Sequence, residues 1–258
     1  MNVRKLASCV ASLLMLAVSG AAAQSAGPVA TLSDTDRGQL DALLGQGVVG
    51  EALPSAPLES PTSYLPRLGR TLTYQVVTKG GEKPTTEIHE ITEATDPALK
   101  PGWHYSVGDT AELDIQRDPT GRAFTVVEKD LGNKVLSRFN PGEPLVLTGL
   151  QPGQSATSSH TVEVYDLSNL NEVSHAGTLD VTYSHLGTFR VTVPAGTFDA
   201  VLVKSSYSGK IGPANIKESQ YRFLAPNVGM VAMIQIRSIS ALLVYNDHSK
   251  RGKVLARQ

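Results

Sequence analysis

From Arg70 onward the chain runs in short stretches of alternating apolar and polar residues, broken by glycine, proline, asparagine and aspartate. This period of two constrains the fold more than any motif does, because it is how an antiparallel sheet with one buried face is written in sequence. "TLTYQVVT" puts Leu72, Tyr74 and Val76 on one face, and Gly80-Gly81 ends it. "TEIHEITEA" puts Ile88 and Ile91 on opposite faces and is a less regular strand. "WHYSV", "AELDIQ", "AFTVVEK", "KVLSRF", "LVLTG", "SHTVEVYDL", "GTLDVTYSHL" and "FRVTV" follow, with turns at "DPTG" (118–121) and "LGN" (131–133). No helical period of useful length occurs after residue 70. The expected fold is all-β: one strongly curved antiparallel sheet over 68–248 forming an open or closed barrel, followed by a C-terminal tail over 249–258.

Two corners punctuate the last strands. Val193-Pro194-Ala195-Gly196-Thr197 fits a type I turn with proline at its second position and Gly196 in the left-handed region. Pro194, Ala195 and Gly196 carry no titratable or nucleophilic side chain, so the corner reads as geometry, not chemistry. The second corner, Ala225 to Gly229, separates Tyr221 and Phe223 from a run apolar on both parities. Met230, Ala232, Ile234 and Ile236 fall on one side of that run, and Val231, Met233 and Ile239 on the other. Such a strand lies between a core and a covering layer, or lines an apolar cavity.

The two corners, V-x-V-P-A-G-x-F and A-P-x-V-G-x-V, resemble the end of the uncharacterised bacterial envelope proteins grouped as TapB-family or related domains of unknown function, over about residues 180–240. This chain departs from that pattern at Phe223-Leu224, where an aromatic pair is usual, and at Ala232, where a basic residue follows the last valine. The resemblance implies an envelope protein with this architecture and brings no reaction or ligand.

The first residues order themselves as Arg4-Lys5, an apolar run from Leu6 to Val18, and Ala21-Ala22-Ala23. That is the pattern of a secretory signal peptide over 1–23 with cleavage after Ala23, and a membrane anchor would need a run of roughly 20 apolar residues. The expected location is periplasmic or secreted, with no transmembrane anchor after processing. Cys9, the only cysteine, would leave with this segment, so no disulfide, thiol nucleophile or cysteine zinc site is expected. Residues 24–67 are rich in alanine, glycine, proline and serine and read as irregular. The exception is a short helix near 33–44, where Ser33 and Asp36 begin, Leu40, Leu43 and Leu44 share a face, and Gly45 and Gly47 stop. The stretch from Leu53 to Pro66 reads as an extended connector.

A formal net charge of -1 with no long basic run argues against nucleic acid as a partner. "HSKRGK", 248–253, is the densest basic cluster and reads as a solvated tail. His89-Glu90-Ile91-Thr92-Glu93 is one residue short of a zinc-protease motif, but the two ends of a β-like stretch lie about 13 Å apart, too far for shared ligation. His160 and His185 fall in one expected strand pair, a two-histidine arrangement that nothing further selects. Asp109, Glu112 and Asp114 read as solubilising edge charges. There is no nucleophile elbow, phosphate loop or dinucleotide fingerprint.

No catalytic, metal or cofactor-binding residue is assigned, and no cofactor is expected. The candidate ligand-facing residues are the aromatics Trp103, Tyr105, Tyr74, Tyr221 and Phe223. The expected function is a non-enzymatic envelope protein that holds a hydrophobic small molecule, a lipid or a partner protein on a curved sheet. The alternatives are a periplasmic hydrolase with its site on the loops near 96–112 and 166–178, and an assembly factor that pairs through a sheet edge.

Overall fold

The structure, a computed structural model, describes residues 27–78, 83–241 and 245–258. The expected signal peptide, 1–23, and Cys9 lie outside the described residues. The chain opens with α1 (Asp34–Leu44), then β1 (Val49–Leu53) and a short 3-10 turn (Pro61–Tyr64). Next come β2 (Thr71–Thr78), β3 (Thr85–Glu93), β4 (Gly102–Val107), β5 (Ala111–Arg117), β6 (Ala123–Asp130) and β7 (Val135–Pro144). The last six are β8 (Ser155–Asp166), β9 (Asn169–Val193), β10 (Gly196–Ile211), β11 (Ala214–Ala225), β12 (Gly229–Ala241) and β13 (Tyr245–Arg257).

Strands β2 to β13 form a twelve-stranded antiparallel barrel that β13 closes by pairing with β2 and β8 by pairing with β9. At 25 residues β9 is the longest strand, and it changes partner along its length. Its first part pairs with β8 and its last residues, Thr188 to Val191, with β1. The change coincides with a bulge opposite Leu202 and Val203, where one extra residue bends the sheet. The corner that opens β10 is the tight hairpin its sequence specifies, with Val193 facing Gly196 and Gly196 at φ +133°.

Helix α1 starts where Ser33 Oγ accepts a hydrogen bond from the Asp36 backbone N–H at 3.1 Å. Its Leu40 and Leu43 pack against Tyr221, Phe223, Ala232 and Ile234, which cross-strand pairing puts on one face of the sheet. The opposite face there carries Arg222 and Met233, so β12 does separate a covering layer from an interior. The bulge between Phe223 and Leu224, however, puts Met230 on the Met233 side and not, as its parity indicated, with Ala232 and Ile234. Gly252 pairs with Ile234 under the end of α1, and a Cβ on it would stand 2.5 Å from the Leu43 carbonyl oxygen. Only glycine lets the helix sit this close.

Two expectations need correction. Residues 249–258, read as a tail, carry most of β13, a central strand between β12 and β2; Lys253 is buried, because a carboxylate contributed by β3 compensates its charge. The stretch from Leu53 to Pro66, read as a connector, is packed instead. Leu58 and Tyr64 are buried with Val146, Val203 and Leu224, and Leu58 exchanges backbone hydrogen bonds with Gly149 and Leu150. A connector without periodicity became a lid because its few apolar side chains meet the open end of the barrel.

A graded cavity inside the barrel

Twelve strands enclose more space than their inward side chains fill, since about eight already give an interior just wide enough to be packed. One part of the interior is filled by Val162, Leu179, Val181 and Tyr183 with their neighbours. Beside it lies a cavity of about 380 Å³. The ladder between β11 and β12 sets its character, because directly paired residues share a face. The pairs run Leu224 with Met230, Arg222 with Met233, Gln220 with Gln235, and Glu218 with Arg237. The wall therefore passes from apolar through mixed to polar and then charged. Tyr64, Leu65, Pro66, Leu145 and Val146 complete the lining at the lid. The second corner holds that lid: the Asn227 N–H donates to the Ser63 carbonyl.

A buried charge cluster stands on the β13, β2, β3 and β4 wall. Glu87 is buried and takes Lys253, Arg251 at 2.8 Å and the His89 Nε2–H at 2.6 Å. Burial pushes its carboxyl up, but the His89 hydrogen bond and the Lys253 charge outweigh this and hold it at about 2. Burial moves His89 down, so the ring is neutral at pH 7. With Nε2–H turned to Glu87, His89 Nδ1 accepts from the Tyr105 hydroxyl at 2.7 Å. Burial also moves Lys253 down, partly offset by Glu87. The geometry locks one tautomer and one set of ion pairs into the wall.

Further carboxylates stand on β6, β7 and β11, and of these Glu128 and Asp130 line the cavity. Glu128 pairs with Leu113 and looks into the cavity; burial, followed by the charges of Glu143, Glu218 and Asp130, pushes it up to about 7. Glu143 accepts from Tyr207 at 2.7 Å and from Tyr183 at 3.3 Å. Glu218 accepts from the Gln220 and Gln235 amides at 2.6 and 2.7 Å.

The five aromatics marked from the sequence do not converge. Tyr105 lines the cavity. Tyr74 is buried beside it, its ring 4.3 Å from His89 and its hydroxyl donating to the Met230 carbonyl. Trp103 shares the Tyr105 face of β4 and lies under the Arg117 guanidinium. Tyr221 and Phe223 sit on the α1 side, where the Tyr221 hydroxyl is 2.6 Å from Asp36 and Phe223 meets Phe189 edge to face. Their strand neighbours Gln220, Arg222 and Leu224 face the cavity instead.

Other marked groups find partners elsewhere, although the buried Nε2 of His160 and of His185 has none. His160 stands opposite Leu179, not His185, and each histidine donates to a backbone carbonyl, of Pro141 and Leu150. Glu112 pairs with Lys129 and Asp114 with His104. His89 to Glu93 is a strand, with Ile91 buried and Ile88 exposed. Residues 166–178 contribute nothing to the cavity lining. Sequence reading missed Arg222, Glu87, Arg251 and Lys253; the usable signal was the alternation that sets Arg251 and Lys253 in phase with Leu255.

A family model described as DUF3108-like matches residues 144–235, which takes in most of the stretch with the two corners; the narrower TapB name gains no support from it. No curated protein matches the chain. Among solved structures, the chain is similar to a Bacteroides fragilis protein inferred to be exported, with a YmcC-like fold. That match is at 18% identity and TM-score 0.44, covering 76% of this chain and 98% of that one. It is also similar to a Parabacteroides distasonis protein inferred to be a lipoprotein, at 16% identity and TM-score 0.37, covering 76% and 98%. The hypothetical lipoprotein YmcC of Escherichia coli matches at 8% identity and TM-score 0.36, covering 88% and 98%.

Proposed function

We propose that this chain is an exported, non-enzymatic envelope protein that holds a hydrophobic or amphipathic small molecule inside its barrel. The observation that carries this reading is the cavity graded from Leu224 and Met230 through Gln220 and Gln235 to Arg237 along one strand ladder. A space apolar at one end, with a few placed polar groups at the other, is how small-molecule sites are built, and its size falls in their range of ~300–1,000 Å³. Thr110 and Arg251 also line a second, more polar hollow of about 570 Å³, so the two spaces adjoin. The location follows from the leader pattern at residues 1–23.

Pairing through a sheet edge fits less well. Closure uses both sides of every barrel strand, and among the described residues only the five-residue β1 ends the sheet. The test is to purify the processed protein from its host envelope and identify co-extracted molecules by native mass spectrometry. A reproducible small amphiphile in stoichiometric amount is expected. Empty protein, together with failure of any apolar fluorescent probe to bind, would contradict the carrier reading.

A further inference from the structure

Arg222 is a cavity cation with little of its donor capacity used among the described residues. It pairs with Val203 on β10 and Met233 on β12, and on its own strand it stands between Gln220 and Leu224. Its side chain thus marks the step from the apolar to the polar part of the wall. One terminal nitrogen donates to the Ser205 hydroxyl at 3.2 Å, and its Nε is buried with no partner. By contrast, Arg251 and Lys253 both close on Glu87.

Three of the acids near Arg222 are answered by other groups, and the fourth, Glu128, makes no ion pair with it among the described residues. Glu143 takes the hydroxyls of Tyr183 and Tyr207, Glu218 takes the amides of Gln220 and Gln235, and Asp130 takes two hydrogen bonds from Asn133. A guanidinium carries five donors in a planar fork, and leaving them unmet out of water is costly. Among the described residues, Arg222 is therefore a positive charge facing the cavity without a counter-charge in hydrogen-bond contact.

We infer that the cavity takes a single-chain amphiphile with a carboxylate head, the head bound by Arg222 and the chain lying along Leu224, Met230 and Met233 toward the lid. This rests on the carrier reading above and specifies its ligand class. One unpaired guanidinium matches one negative charge, and its fork matches the two oxygens of a carboxylate. A doubly charged phosphate would exceed that charge and would meet Glu128 and Asp130 on the same lining. A volume of about 380 Å³ suits one short chain rather than two.

The test is displacement of the apolar probe N-phenyl-1-naphthylamine from the full protein by decanoate, decanol and decyl phosphate. Decanoate should bind about ten- to a hundredfold more tightly than decanol, the gain expected of charge-assisted hydrogen bonds in a desolvated site. Arg222→Gln and Arg222→Met, each checked by thermal melting, should erase that preference and leave decanol affinity in place, while Arg222→Lys should retain part of it. Equal binding of decanoate and decanol to the unmodified protein would overturn the carboxylate inference and leave the carrier reading standing. Tighter binding of decyl phosphate than decanoate would overturn the choice of head group. Failure of all three compounds and of the probe would sink both. If the Arg222 variants do not fold, the decanoate-to-decanol ratio in the unmodified protein decides.

Discussion

Glu128 and Glu87 show how differently two carboxylates behave inside one barrel. An unfolded glutamate releases its proton near 4.5, whereas folded Glu128 holds it to about 7. The folded state therefore binds more protons across that window, and the Glu128 contribution to stability falls as pH rises from 4.5 through 7. Glu128→Gln removes the titration. It is expected to leave stability nearly unchanged at pH 4.5 and to raise it by up to about 3 kcal/mol at pH 8, read by urea melts at both values. Glu87 has the opposite sign. Its folded value of about 2 lies below the unfolded 4.5, so its contribution is complete above 4.5 and disappears as pH falls through 2. Glu87→Gln leaves Lys253 and Arg251 without their counter-charge and should cost about 3 to 5 kcal/mol at pH 7, a loss that shrinks as the medium is acidified below 4.5.

At the scale of elements, the seat of α1 on β13 depends on the missing side chain at position 252. Gly252→Ala drives a methyl group into the Leu43 carbonyl. It should cost about 1 to 3 kcal/mol and speed amide exchange over 34–44. Gly38→Ala is the matched control: nothing stands within 4 Å of the added Cβ, and the residue is inside the helix, so a gain of about 1 kcal/mol is expected. Changes in the same direction at the two sites would contradict this account of how the helix is seated. These elements also show what was legible beforehand. The strands after residue 70 and the helix after Ser33 announce themselves because period and cap are local. Strand β13 did not, because the burial of Lys253 depends on Glu87, a residue 166 positions away. The lid did not either, since the burial of Leu58 and Tyr64 comes from Val146, Val203 and Leu224 and not from any pattern of its own.

Across the whole molecule, the sheet is buried on both faces where α1 covers it, and this misdirected the choice of ligand-facing residues. On β11 the large aromatics Tyr221 and Phe223 meet the helix, while the less conspicuous Arg222 and Leu224 meet the cavity. Hydrophobicity alone assigns the wrong parity to the interior in such a strand; register against Met233 and Val203 assigns the right one. Closure by β8 with β9 makes the enclosed space a property of all twelve strands, visible from no single one. The chain has four methionines, and Met1 and Met15 lie before the expected cleavage point, so Met230 and Met233 in the cavity lining are the two that processing would leave. Methyl NMR of protein labelled at the methionine methyl carbons, titrated with decanoate, reads the cavity directly. Saturable shifts of both the Met230 and Met233 signals are expected, with Arg222→Gln moving the midpoint to higher concentration. Both signals unmoved at concentrations where decanoate displaces the apolar probe would place the ligand elsewhere and contradict a site inside the barrel.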